Sequence, residues 1–160
     1  MKKMSTWKPP KNIAKALDEG DGFWEDERWF PVLLTAMSGT EFNGREIPVA
    51  WQIEFDPSDE DFETANAGLE ETGTEPDGYG WGEHIQKAIR KTHPALAKRL
   101  HTTDCEVGTC VIWVESEEDC RALLETTWKL IFTKSGRGLT RRGSPDTNRT
   151  PAAAASRRLP

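Results

Sequence analysis

The stretch Thr102-Thr103-Asp104-Cys105-Glu106-Val107-Gly108-Thr109-Cys110-Val111-Ile112-Trp113-Val114-Glu115-Ser116 decides the fold class. Two runs rich in β-formers, residues 102–106 and 109–115, flank Val107-Gly108, and two residues between strands close a hairpin. A register symmetric about that turn sets Cys105 opposite Cys110. Ser116 then stands where a helix needs a cap, with Asp119 three residues on as a variant capping box. Behind it Cys120, Leu123, Leu124, Thr127, Trp128 and Ile131 recur at helical spacing, which predicts a helix over about residues 117–131 with one buried stripe.

Working upstream, Trp81, Ile85, Ala88, Ile89 and Thr92 share one helical face, while Glu83, Lys87, Arg90 and Lys91 take the other. Residues 73–82 hold four Gly and one Pro, which predicts a loop ahead of that helix, and Pro94 breaks or restarts it. Asp56-Pro57-Ser58-Asp59 opens a weaker helical pattern of Phe62, Ala65, Asn66 and Leu69. Residues 29–38 are dense in β-formers, and residues 47–55 alternate, with Ile47, Val49, Trp51, Ile53 and Phe55 on one face. Asn43-Gly44 supplies turn chemistry between those two runs. Strands paired through short turns predict an α+β domain: a small antiparallel sheet with helices packed on one face.

The chain has 160 residues, with 36% hydrophobic and 30% charged. Seven Trp and six Phe supply enough buriable surface for one core. The longest uncharged stretch, residues 29–40, has twelve residues, too few for a membrane-spanning helix, which needs roughly 18. The start is basic but has no apolar run behind it, so no signal peptide is read there. With three Cys and no export signal, the expected compartment is the cytoplasm.

The net charge of −6 hides a strong asymmetry. Residues 1–17 carry five Lys and are read as a basic N-terminal arm. Residues 18–133 are read as an acidic α+β domain, and residues 134–160 as a disordered basic tail built from Gly, Ser, Thr, Arg, Pro and Ala. Within the domain, residues 18–83 hold nineteen acids and only Arg28 and Arg45 as bases. Such a surface attracts cationic partners and repels nucleic acid, although charge runs also serve simply to keep a surface solvated.

Catalytic and metal readings find little footing. His101, Cys105, Cys110 and Cys120 are suitable zinc ligands, but no CxxC pair forms a rigid knuckle. Free Cys is commonly a small buried hydrophobe, and His84 and His93 stand where packing and capping roles are common. Asp59-Glu60-Asp61 and Glu117-Glu118-Asp119 are acids of the kind that bind divalent cations or do acid and base work, but adjacent acids on a helix point in different directions, and the second trio sits at a helix N-terminus, where acids complement the dipole. The loop Gly78-Tyr79-Gly80-Trp81-Gly82 lacks the Lys of a phosphate loop and has Glu75 and Asp77 beside it. No cofactor, no metal and no catalytic constellation are therefore expected.

Two segments carry a resemblance. Asp77-Gly78-Tyr79-Gly80-Trp81 leading into an amphipathic helix, and Asp104-Cys105-Glu106-Val107-Gly108-Thr109-Cys110 leading through a strand into a capped helix, together resemble the immunity protein 51 family of bacterial polymorphic toxin systems. Gly78, Tyr79, Trp81, Asp104, Glu106 and Gly108 match its pattern, over roughly residues 51–132. Pro76 and Cys110 depart from it, and both ends lie outside it. The resemblance implies a non-enzymatic protein that neutralises a cognate toxin domain by binding it. An acidic single domain suits that role, because nuclease toxins are basic in order to hold their substrate. Two other classes remain open: a phage or mobile-element inhibitor whose acidic face mimics DNA to block a nuclease or restriction enzyme, and a small thiol enzyme using Cys105 or Cys110. The expected partner-binding residues are Asp56, Asp59, Glu60, Asp61, Glu63, Glu70, Glu71, Glu75, Asp77 and Tyr79, which lie on the weakly patterned helix and the loop after it. Neither membrane nor nucleic acid is an expected partner of the folded domain.

Residues 135–160 have Leu139 and Leu159 as their only large apolar side chains, so their deletion should leave the thermal midpoint nearly unchanged. Differential scanning calorimetry of the full and shortened chains checks this, and a loss of several degrees would mean that the segment docks.

Overall fold

Alternation along residues 50–55 builds the centre of the sheet. In a computed structural model, which describes residues 2–132, the chain runs α1 (Ile13–Glu19), β1 (Phe23–Asp26), β2 (Leu33–Met37), β3 (Thr40–Phe42), β4 (Arg45–Ile47), β5 (Ala50–Phe55), a 3-10 turn (Glu60–Phe62), α2 (Glu63–Glu71), α3 (Gly78–Thr92), α4 (Pro94–Ala97), β6 (Cys110–Val114) and α5 (Glu117–Phe132). The fold is α+β. Its main sheet has the order β1-β2-β5-β6 with every pairing antiparallel, and β3 and β4 form a separate two-stranded ribbon. The tail read as disordered lies outside the described residues. No helix among the described residues is long and apolar enough to cross a membrane.

One face of β5 presents Trp51, Ile53 and Phe55, all buried. Trp51 lies between Ala36 of β2 and Val114 of β6, and the small Ala36 leaves room for Trp24 and Trp7, whose rings sit 6.2 Å from Trp51. Ile53 lies between Leu34 and Ile112, and Phe55 pairs with Cys110. Trp81 of α3 meets Phe55 and Phe62 edge-on at 5.5 Å. Its indole N–H donates to Asn66 Oδ1 at 2.7 Å, while the Asn66 amide donates to the Pro57 carbonyl, so a buried polar pair ties α2 to α3. Trp29 and Trp81 are wholly buried. Each ring takes about 200 Å² out of water, on the order of 5 kcal/mol at about 25 cal/mol per Å².

The helix stripe predicted from residue 120 to 131 is the buried face of α5, and the Ser116 hydroxyl accepts from the Asp119 N–H at 3.1 Å as the expected cap. Trp128 of α5 meets Trp29 edge-on at 5.7 Å. Asp77 caps α3 by accepting from the Gly80 N–H at 2.8 Å. The helix therefore begins three residues before Trp81, and Gly78, Gly80 and Gly82 belong to its first turns and not to a loop. Close approach explains those glycines: a Cβ on Gly78 would overlap the carbonyl oxygens of Glu106 and Thr109. The Gly78 N–H itself donates to the Val107 carbonyl at 2.9 Å.

Four other expectations are corrected. Residues 29–32 are turn and not strand, since Phe30 and Val32 donate backward to Glu27 and Trp29 and Pro31 has no N–H to give a ladder. The strand beside β2 is instead β1, too short and too acidic for alternation to reveal. Asn43-Gly44, with φ of 53° and 76°, turns the β3-β4 ribbon, and β2 and β5 pair outside it. The expected hairpin survives only at its tip, where Glu106 and Thr109 exchange backbone hydrogen bonds, and again where His101 pairs with Trp113. Between these points four residues, 102–105, oppose three, 110–112, and the extra residue is taken up in a turn closed by Cys105 N–H to Thr102 carbonyl. Lastly, residues 2–17 are not a peripheral arm. Trp7 packs on Trp29 and Trp51 and donates to Glu117 at 3.0 Å, and Leu17 of α1 is buried.

Gly78→Ala should destabilise the fold by about 1–3 kcal/mol, because its Cβ meets backbone and not a movable side chain. Gly68→Ala, in open space on α2, should stabilise by up to about 1 kcal/mol. Urea unfolding midpoints of the two variants check the contrast.

Candidate partner-binding groove

The second face of the sheet is only half covered. At one end the ribbon of β3 and β4 folds over it, burying Ile47 and Ala50 against Trp113 with Phe42 alongside. The His101 ring stacks on Trp113 at 3.7 Å, and Phe42 meets both rings edge-on at 4.6 and 5.6 Å. At the other end Leu33 and Glu54 are opposed across β2 and β5, and the face stays open. There a groove of about 650 Å³ is lined by Glu25, Glu27, Phe30, Pro31, Val32, Leu33, Glu54, Phe55, Asp56, Asp59 and Thr109.

Five carboxylates and no base line it. The two bases of residues 18–83 are committed elsewhere: Arg28 to Asp26 at 2.6 and 2.9 Å, and Arg45 to Glu115 at 2.8 and 2.9 Å. Hydrogen bonds from the Ser58 N–H and hydroxyl hold the Asp56 carboxyl below the usual carboxylate range, so it stays ionised. Phe30 is 58% exposed on the rim, an apolar anchor among acids. The ammonium of Lys2 lies 5.1 Å from the Phe30 ring centroid, donates to the Phe30 carbonyl at 3.1 Å and pairs with Asp61 at 3.4 Å. The rim thus already accepts a cation of the chain itself by ring face, carbonyl and carboxylate together.

The ten expected residues are dispersed over the surface. Asp56 and Asp59 line the groove, Asp59 while capping the 3-10 turn through the Asp61 N–H. Asp61 holds Lys2 at the rim. Glu75, Asp77 and Tyr79 line a different cleft of about 520 Å³ beside the start of α3, together with Glu83, Gln86, Thr102 and Cys105. Glu60, Glu63, Glu70 and Glu71 are exposed but line neither cavity. Glu25, Glu27, Phe30, Leu33 and Glu54 are the groove residues that local reasoning missed. A usable signal existed for Glu54 alone, which alternates outward between the inward Ile53 and Phe55.

A third cleft, of about 530 Å³, runs between Arg45, residues 98–101, Glu115, Ser116, Glu118 and Asp119. Its charges satisfy one another. Arg99 grips Asp119 at 2.8 and 2.9 Å, and Glu115 takes Arg45 on one side and His101 at 3.0 Å on the other. The hydrogen bond from Arg45 is the main reason that Glu115 is lowered to about 2.

The histidines are occupied by packing. His84 lies edge-on to Trp81 at 5.6 Å, and burial, then Lys87 and Lys91, lower its pKa. His93 pairs with the Thr92 hydroxyl. Cys120 is wholly buried, and burial pushes its thiol up. Among the described residues no group of three or more His, Cys, Asp or Glu is placed to hold a metal ion. No protein-family model, curated protein or solved structure matches this chain.

Because the folded-state pKa of Glu115 is depressed, the stability it contributes is present above pH about 4.5 and is lost as pH falls toward about 2. Glu115→Gln should therefore flatten the acid side of the stability profile in that window. At pH 7 it should cost no more than about 1 kcal/mol, since the pair is solvent-screened. Urea unfolding at stepped pH checks both outcomes.

Proposed function

We propose that this chain is an immunity protein, which neutralises a cognate bacterial toxin domain by non-catalytic association, with the acid-rimmed groove as the binding surface. The observation that carries the reading is the groove: five carboxylates and no base line it, beside an exposed aromatic ring that already holds the Lys2 ammonium at the rim. Like charge in a concavity costs the isolated fold self-repulsion, and a cationic partner relieves it. Phe30 and Leu33 supply the apolar contact that resists dissociation, while the carboxylates accelerate encounter.

The resemblance to immunity protein 51 supplies the partner class. Its two motifs are adjacent in space, with the Gly78 N–H on the Val107 carbonyl, so the matching residues support the scaffold, and the groove lies outside them. The DNA-mimic reading draws on the same acidity. An apolar ring and a Leu within a concave site favour a protein side chain over imitation of a phosphate backbone.

The test pairs this protein with the products of the open reading frames beside its gene. A triple variant, Glu25→Lys, Glu27→Lys and Glu54→Lys, avoids Asp56 and Asp59, which hold local turns. It should associate about 10-fold or more slowly at low salt and lose most of its salt dependence, with the fold intact by circular dichroism. Equal association rates for variant and parent would remove the groove from the interface. If no neighbouring product binds, the immunity reading gives way.

A further inference from the structure

The two motif segments bring a pair of thiols together at the edge of the cleft beside α3. Cys105 and Cys110 are free, and their sulfurs lie 4.0 Å apart. They flank Glu106 and Thr109, which exchange both backbone hydrogen bonds, at 2.8 and 3.3 Å. A disulfide holds its sulfurs about 2.05 Å apart, so closing the bond brings the two together from 4.0 Å.

The two sulfurs differ in their surroundings. Cys105, only 7% exposed, lines the cleft of about 520 Å³ that opens beside the exposed Tyr79, whereas Cys110 is fully enclosed behind it. The hydrogen bond shared with Cys110 is the main cause that lowers Cys105 to about 7. The same hydrogen bond, followed by burial, raises Cys110. Cys120, the third thiol, is on the buried face of α5, with burial pushing its pKa up.

We propose that Cys105 is a modification site for low-molecular-weight disulfides such as oxidised glutathione, and that Cys110 resolves the adduct into an internal Cys105–Cys110 disulfide. The Cys105 thiolate attacks one sulfur of the small disulfide, whose S–S bond breaks, and the departing thiolate takes up the proton that Cys105 released. Cys110 then attacks the Cys105 sulfur. The mixed disulfide breaks, and the second small thiol leaves with the Cys110 proton. Two protein thiols are oxidised and one small disulfide is reduced to two thiols. The product staples the turn whose Val107 carbonyl receives the Gly78 N–H, so the modification acts on the seat of α3. This inference does not depend on the proposed binding partner.

The experiment equilibrates the full chain with graded ratios of oxidised to reduced glutathione, then reads intact mass and maps peptides. The expected product has lost two hydrogens, carries no glutathione and links Cys105 to Cys110, with Cys120 still titratable. Cys110→Ala should stop at one glutathione on Cys105, and Cys105→Ala should take up none. Three thiols that persist at every ratio, a stable glutathione adduct on the parent chain, or a link through Cys120 would each overturn the proposal. Should either variant fail to fold, the peptide map of the parent chain decides alone.

Discussion

The first turn of α3 rests on the turn at Val107-Gly108 with no space between backbones. The Gly78 N–H reaches the Val107 carbonyl at 2.9 Å, and the carbonyls of Glu106 and Thr109 occupy the place of a Gly78 side chain. This contact joins the longest connection in the sheet, between β5 and β6, to the tip that opens β6. With α3 seated, Trp81 is delivered to Phe55 and Phe62, and Asn66 meets its indole N–H. The orientation of α2 follows from that hydrogen bond. Since a buried indole without a partner is costly, Asn66 is a structural residue although it sits in an apolar pattern.

Charge is distributed with the same division of labour. From residue 84 to residue 132 there are seven acids and seven bases, and several are paired within the third cleft or along α5, such as Arg99 with Asp119 and Arg121 with Glu125. From residue 18 to residue 83 the acids outnumber the bases by seventeen, and both bases are taken by carboxylates outside the groove. The potential at the groove is therefore strongly negative, with Lys2 on the rim as the nearby cation. An exposed Phe in that field is a poor choice for solubility and a good one for holding an aliphatic or guanidinium-bearing side chain.

Covering one half of the second sheet face made the groove in the other half. The ribbon of β3 and β4 is anchored by Phe42 edge-on to the stacked His101 and Trp113 rings and by Arg45 on Glu115, both at the far end from Phe30. The ribbon spends apolar side chains on Trp113 and Ala50, and leaves Leu33 and Glu54 without a lid. The cleft of Cys105 arises separately, from the extra residue between Thr102 and Cys105 that takes the chain off the β6 ladder.

By itself the sequence determined what local periodicity encodes. The stripe of α5, its Ser116 cap, the face of α3, the alternation of β5 and the antiparallel α+β class were all legible, because each depends on residues within a few positions of one another. The acidity of residues 18–83 was legible for the same reason, as were Asp56 and Asp59 as surface acids. Only the tertiary structure decided that Trp7, in a Pro- and Lys-rich stretch without periodicity, packs half-buried against Trp29 and Trp51. It decided too that Gly78 opens a helix, since the carbonyls that occupy the place of its side chain, those of Glu106 and Thr109, lie some thirty residues away. The groove draws Glu25 from one strand, Phe30 from a turn, Glu54 from another strand and Asp59 from a helix cap. No spacing in one dimension marks such a set, because a periodic pattern says which face of an element is apolar and not which distant segment will cover it or leave it open.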